Sequence, residues 1–255
     1  MTRVIVWSPP YTHQSGGIRA LYLLCDLLRE RNIDANIQTF LGEYVENPYN
    51  APKLLKNSDE DIHVYPEIIV NNPAGSDRFV RWLLNRADLD GECWAWIHGL
   101  GDHPILHVPI VESEIFKPMN LERKGIAYWV GKGYEDLYKI PYNAFRISPD
   151  KSYTREELAI LLGSIEYLIS FDPFSALNLE AAMCGTPVRV HTTAEWKPKD
   201  LENSFFGRFG IAYSDDEMEK AIWESKNGLA HMKYAQSKIL MYGTVDNFAN
   251  RLLLW

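Results

Sequence analysis

Along this chain, short apolar runs alternate with longer stretches in which apolar residues recur every three or four positions. That is the pattern of strands and helices in α/β layers. The run at 4–7 predicts a first strand, and 8–15 a polar loop carrying Pro9 and Pro10. Gly16 and Gly17 then open a helix to about residue 31, with Ile18, Leu21, Tyr22, Cys25 and Leu28 on one face. Strands are predicted at 36–40 and 63–70, with mostly loop over 41–61. A helix is predicted over 77–86. A strand over 93–97 ends in His98-Gly99-Leu100-Gly101, and 108–111 reads as a last short strand.

A charged connector over 116–124 contains Pro118, and the domain boundary is placed there, giving domains of 1–118 and 119–255. The alternation then restarts. The spacing predicts a strand at 125–130 running into Gly131-Lys132-Gly133, a short helix over 134–139 and a strand at 144–147. A helix is predicted over 154–163, where Thr154 and Glu157 have the capping-box spacing. A strand at 167–171, a helix at 175–184 and a strand at 187–190 follow. Helices over 215–225 and 245–254 close the chain, the last a candidate to pack back on the first domain. No repeat or low-complexity tract interrupts the pattern.

Composition narrows the function classes. A length of 255 residues suits one large domain or two small ones. The formal net charge of −8 disfavours a generic nucleic-acid binder, whose affinity leans on clustered Lys and Arg. Cys25, Cys93 and Cys184 are far apart and form no CxxC pair, which argues against a disulfide framework or thiolate zinc site and fits a reducing compartment. The apolar run at the start is too short for a signal peptide, and no stretch reaches the ~20 apolar residues of a membrane span. A cytoplasmic protein is expected, with peripheral membrane contact left open.

The segment richest in chemistry runs from Tyr167 to Val188. A buried strand ends at Phe171 and places Asp172 at its carboxyl end, where ligands of open α/β sheets bind. Ser175 is a good N-cap for the helix that follows. The N–H groups of Ala176, Leu177 and Asn178 would then form an anion site suited to a diphosphate. Glu180 lies a turn or so further in, where a carboxylate can accept two hydrogen bonds from a ribose diol. The plain alternative is an ordinary strand–helix–strand unit, with Asp172 as a cap and Glu180 as a partly exposed helix charge.

The combination carries more than its parts. Asp172, seven residues, Glu180 and then Ala181-Ala182-Met183-Cys184-Gly185-Thr186-Pro187-Val188 resembles the donor-site motif of retaining GT-B glycosyltransferases, in particular the family called GT4. This chain would be a compact member. The first acid is usually Glu and is Asp172 here. The usual Gly-Phe-Gly between the acids is replaced by Phe174-Ser175-Ala176. The resemblance implies two Rossmann-like α/β domains facing a central cleft, the second holding the donor.

Three further features agree with it. Ser15-Gly16-Gly17 after the first strand would let backbone approach a phosphate or sugar. Lys132, in Trp129-Val130-Gly131-Lys132-Gly133, matches a basic residue that contacts the donor diphosphate; its plain reading is a solvated turn lysine. Lys139 is the candidate for a second basic residue. The Gly131-x-Gly133 pair is too short for a dinucleotide fingerprint. His98 matches a first-domain His near the transferred sugar, against a structural histidine as the plain reading. His98, Asp102, His103 and His107 match no zinc spacing, so no metal is expected.

The resemblance thus implies transfer of a sugar from a UDP- or GDP-type nucleoside diphosphate sugar to an acceptor hydroxyl, with retention and with no metal strictly required. Catalytic candidates are His98, Lys132 and Asp172. Donor-binding candidates are Gly16, Gly17, Lys132, Ser175, Ala176, Leu177 and Glu180. A saccharide or lipid-linked glycan is the default acceptor. The rivals are a nucleotide-sugar-binding protein that has lost transfer, a glycosyltransferase acting on modified nucleic-acid bases, and a Rossmann-type oxidoreductase.

Overall fold

The computed structural model describes residues 3–133, 135–148, 150–202, 204 and 207–255. The chain divides into two compact units, Met1–Ile110 with Lys238–Trp255, and Val111–Ser237. No helix among the described residues is long and apolar enough to cross a membrane.

The first unit is built on a parallel sheet in the order β2-β1-β3-β4-β5. Its strands are β1 (Arg3–Ser8), β2 (Asp34–Thr39), β3 (Ile62–Pro66), β4 (Phe79–Leu83) and β5 (Cys93–Ala95). Parallel strands are covered on both faces and read as near-continuous apolar runs. Accordingly, every residue of β3 is buried. Helix α1 (Gly16–Glu30) joins β1 to β2, and Ser15 caps it by accepting the Ile18 N–H at 3.3 Å.

The helix expected over 77–86 is instead the strand β4. Phe79, Val80 and Trp82 suit a pleated buried surface better than a helix, and β4 pairs with both β3 and β5. No helix links β3 to β4 or β4 to β5 among the described residues. Loops take that place, and Arg81 ties them down. Its guanidinium donates to the Asp90 carbonyl (2.7 Å) on one side and to those of Ile69 (2.6 Å) and Val70 (3.2 Å) on the other. A single apolar-periodic reading misses this, because Arg81 satisfies buried carbonyls that a helix would have satisfied itself. No strand covers 108–111; the chain's isolated bridge to Ala95 lies earlier, at Ile105.

The second unit repeats the plan. Its strands are β6 (Ile126–Trp129), β7 (Phe145–Arg146), β8 (Tyr167–Ser170), β9 (Val188–Val190) and β10 (Ile211–Ala212), all parallel, in the order β10-β9-β8-β6-β7. Numbered within its own unit, each sheet therefore has the order 2-1-3-4-5. Helix α2 (Arg155–Gly163) begins with the capping box expected at Thr154 and Glu157, both reciprocal bonds being formed. Helix α3 (Ala176–Met183) follows β8. The short α4 (Pro198–Leu201) and the strand β10 have no counterpart in the sequence expectation, being too brief to show periodicity.

The turn Leu137–Lys139 is a 3-10 turn, where a helix over 134–139 was expected; Tyr134 lies outside the described residues. Helix α5 (Met218–Lys226) stops at Gly228, which adopts φ +63°. The last helix, α6, runs over Leu229–Leu252, far longer than the expected 245–254. Its polar and apolar positions are interleaved and Gly243 interrupts them, which conceals the helical period in the sequence.

Candidate functional site

In a sheet of order 2-1-3-4-5, the strand order reverses between the first and third strands, and ligands bind beyond the carboxyl ends there. In the second unit that point lies between β6 and β8. The turn after β6 is Gly131-Lys132-Gly133, and the segment after β8 is Asp172-Pro173-Phe174-Ser175. The two segments singled out in the sequence are therefore neighbours.

A direct bond joins them: the Lys132 backbone N–H donates to Asp172 Oδ2 at 3.0 Å. Both glycines of the turn are needed for this closeness. Gly131 adopts φ +52°, and a β-carbon on it would press against Asp172 Oδ2 and Trp129 Nε1. A β-carbon on Gly133 would fall on the Phe171 carbonyl. Asp172 is 7% exposed. Burial raises its carboxyl above the usual carboxylate range, and the N–H groups of Lys132 and Phe174, with the Lys132 charge, only partly offset this. The Lys132 side chain is exposed. Lys139, the other basic candidate, is paired with Asp136 at 3.0 Å.

Ser175 caps α3 as expected, with φ −108° and ψ 134°. The anion site is narrower than the sequence suggested. Ser175 itself accepts the Leu177 N–H on Oγ (3.3 Å) and the Asn178 N–H on its carbonyl (3.2 Å). A good cap satisfies the donors that a ligand would otherwise use. Asn178 is fully buried and fixes the turn: its amide donates to the Asp172 carbonyl at 2.9 Å.

The end of α3 accounts for the second half of the motif. Gly185 N–H bonds the Ala182 carbonyl and Thr186 N–H the Ala181 carbonyl, both at 3.0 Å, with Gly185 at φ +81°. This is the Schellman arrangement, for which glycine is preferred because its φ is positive. Arg123 then holds the loop, donating to Thr186 Oγ1 and to the carbonyls of Cys184 (3.0 Å) and Ile165 (3.2 Å). The Ala-Ala-Met-Cys-Gly-Thr-Pro string is thus largely a helix terminator.

Glu180 is buried, its side chain 2% exposed, and it is paired with Arg155 at 2.6 Å. Arg155 also reaches Glu112 at 2.8 Å, and its guanidinium lies 4.4 Å over the Phe116 ring. Cys184, behind Glu180, is pushed up to about 12 by burial. The plain alternative for Glu180, a partly exposed helix charge, does not hold, because the second turn of α3 is wholly buried.

No family model matches the chain, and no curated protein matches its sequence. Solved structures do. Sucrose-phosphate synthase from Thermosynechococcus elongatus superposes with a TM-score of 0.59 at 10% identity, over 100% of both chains. AviGT4, a glycosyltransferase involved in avilamycin A biosynthesis, does so with 0.55 at 10% identity, over 99% of this chain and 97% of that one. The fold is of the GT-B type.

Within that fold the second unit brings together Lys132, Asp172, Ser175, Ala176 and Leu177 at one switch point, with Glu180 further along α3. The remaining candidates belong to the first unit. Gly16 and Gly17 begin α1 beyond β1. His98 is exposed in a 3-10 turn, His98–Leu100, beyond β5. A β-carbon at Gly17 would make only an ordinary 3.6 Å contact with Leu84, so packing within the unit does not demand glycine there. Arg155, Glu112, Arg123 and the side-chain amide of Asn178 escaped the sequence reading, which took only the Asn178 backbone N–H into account. Nothing in local spacing ties 112 or 155 to 180; only the Thr154 capping box marked the place where Arg155 would stand.

Proposed function

We propose that this chain is a glycosyltransferase that moves a sugar from a UDP- or GDP-type nucleoside diphosphate sugar to an acceptor hydroxyl, with retention and without an obligatory metal. The observation that carries this reading is the junction at the switch point between β6 and β8, where Lys132 and the start of α3 flank Asp172.

In this reading the bond from the anomeric carbon to the diphosphate breaks as the bond to the acceptor oxygen forms, and the acceptor proton leaves with the departing phosphate or to solvent. Negative charge builds on the diphosphate. The Lys132 ammonium and the amino end of α3, where the Ala176 N–H is uncommitted to the Ser175 cap, stabilise it. Asp172 accepts hydrogen bonds from the hydroxyls of the transferred sugar. Glu180 takes the ribose diol. Gly16 and Gly17 are candidates for the donor phosphates, and His98 for the reacting side of the sugar. A saccharide or lipid-linked glycan is the favoured acceptor class.

The test is calorimetric titration with UDP and GDP, followed by their sugar conjugates, on the wild type and Glu180→Ala. A charged hydrogen bond is worth about 1.5–3 kcal/mol, so the variant should bind the nucleotide on the order of 10- to 100-fold more weakly. Unchanged affinity removes Glu180 from the ribose. Release of free sugar from a sugar conjugate, or its transfer to an offered glycan, separates an enzyme from a protein that only binds.

A further inference from the structure

The carboxylate assigned to the ribose is covered by a side chain of the protein itself. Side-chain exposure rises outward from Glu180 at 2%, through Arg155 at 13%, to Glu112 at 35%. One terminal nitrogen, Arg155 Nη2, serves both carboxylates, at 2.6 Å from Glu180 Oε1 and 2.8 Å from Glu112 Oε2. Arg155 Nε is buried without a partner. Arg–carboxylate pairs are frequently two-pronged forks; here the bonds to two different carboxylates both start from the one nitrogen, Nη2.

Burial disfavours the charge on Arg155, but Glu180 and Glu112 together more than offset it and raise its pKa above the usual arginine value. The guanidinium is therefore cationic at every working pH. Its backbone is fixed, because Thr154 immediately before it closes the capping box of α2. Whatever motion Arg155 has lies in its long side chain, which rests on Phe116.

We propose that Arg155 is a built-in competitor for the ribose position, resting on the reading of Glu180 given above. A guanidinium N–H and a ribose O–H are both donors, and Glu180 Oε1 is already taken by Arg155. In this proposal the ribose diol takes both oxygens of Glu180, so the guanidinium lets go of Oε1 while it stays on Glu112. The cation keeps a carboxylate partner in both positions, so neither arrangement leaves a buried charge alone. Glu112 is then the parking site, and the affinity for nucleotide is set partly by the fraction of molecules in which Arg155 stands there.

The experiment uses the full chain, with UDP and GDP as probes, titrated by calorimetry and mixed in stopped flow. Minor arrangements of this kind are populated at about 0.1–10%, so Arg155→Gln should tighten binding by about 10-fold or more and speed association. Glu112→Gln, at a side chain 35% exposed, should weaken binding severalfold by removing the parking site. The proposal is overturned if Glu180→Ala weakens binding while Arg155→Gln binds equally or less well, for Arg155 then only supports Glu180. An unchanged affinity in Glu112→Gln overturns it too, even should Arg155→Gln fail to fold. If the wild type binds neither nucleotide, or Glu180→Ala binds as the wild type does, the donor-site reading fails and takes this proposal with it.

Discussion

Lys132 and Asp172 stand 40 residues apart in the chain, yet the backbone N–H of the first donates to the carboxylate of the second at 3.0 Å. This bond closes the gap between the turn after β6 and the segment after β8. It gives Asp172 a structural duty in addition to the proposed contact with a sugar, and the two duties respond differently to substitution.

Asp172→Asn keeps an acceptor for the Lys132 N–H but removes the ionisation. Burial raises the Asp172 pKa in the folded protein. A raised acid pKa contributes stability that is fully present below the unfolded value, about 3.9, and is lost as pH rises through the folded one. The variant should therefore be at least as stable as the wild type at pH 7, and its advantage should shrink on acidification towards pH ~4. Urea midpoints at both pH values measure this. A variant less stable at neutral pH would show that the carboxylate charge is needed for the turn. Transfer activity should fall in either case under the proposed function.

Gly17 and Gly133 make a contrasting pair. A β-carbon on Gly133 meets the backbone carbonyl of Phe171, which cannot swing aside. Gly133→Ala should cost about 3 kcal/mol or more, at the upper end of overpacking penalties. Gly17 has room for a methyl group inside its own unit. Gly17→Ala should leave the thermal midpoint unchanged or slightly raised, since alanine outranks glycine in a helix by about 0.5–1 kcal/mol. A loss of nucleotide affinity with that fold intact would then report a ligand at this backbone. A destabilised Gly17→Ala would show that packing alone selects glycine.

His107 sets an opposite pH trend in the first unit. Its ring is buried, and burial lowers its pKa to about 4. A depressed histidine pKa contributes stability that is present above the unfolded value, about 6.5, and is lost as pH falls towards 4. The loss is on the order of 3 kcal/mol. His107→Gln should remove most of this acid sensitivity. Equal slopes of stability against pH for variant and wild type between pH 6.5 and 4, in denaturant titrations, would mean that the ring is reached by water.

Local signals survived folding where the physics is local. Thr154 and Ser175 cap the helices they were expected to cap, and Ser15, with no such expectation, caps α1 in the same way. Each cap is a contact between residues two or three positions apart, which spacing reveals. Gly185 terminates α3 for the same reason. The apolar spacing around β4 fits both periods over so short a run, so local pattern predicts a helix where the structure has a strand. Arg81, the residue that makes a strand with loop crossovers workable, acts on carbonyls at 69, 70 and 90. The sequence names Ser175 as a cap without saying which N–H groups it consumes, and in the structure it takes those of Leu177 and Asn178.

By itself the sequence determined the α/β alternation, the acid-x7-Glu spacing and the glycines at 16, 17, 131 and 133. These follow from backbone conformation and from neighbours within a few residues. Only the tertiary structure decided that Asp172 braces Lys132, that Gly133 lies under the Phe171 carbonyl, and that Glu180 is buried behind an arginine shared with Glu112. Those relationships join residues 25 to 40 positions or more apart. They arise because parallel strands bring separate carboxyl ends side by side, and no local period in a chain encodes which ends will meet.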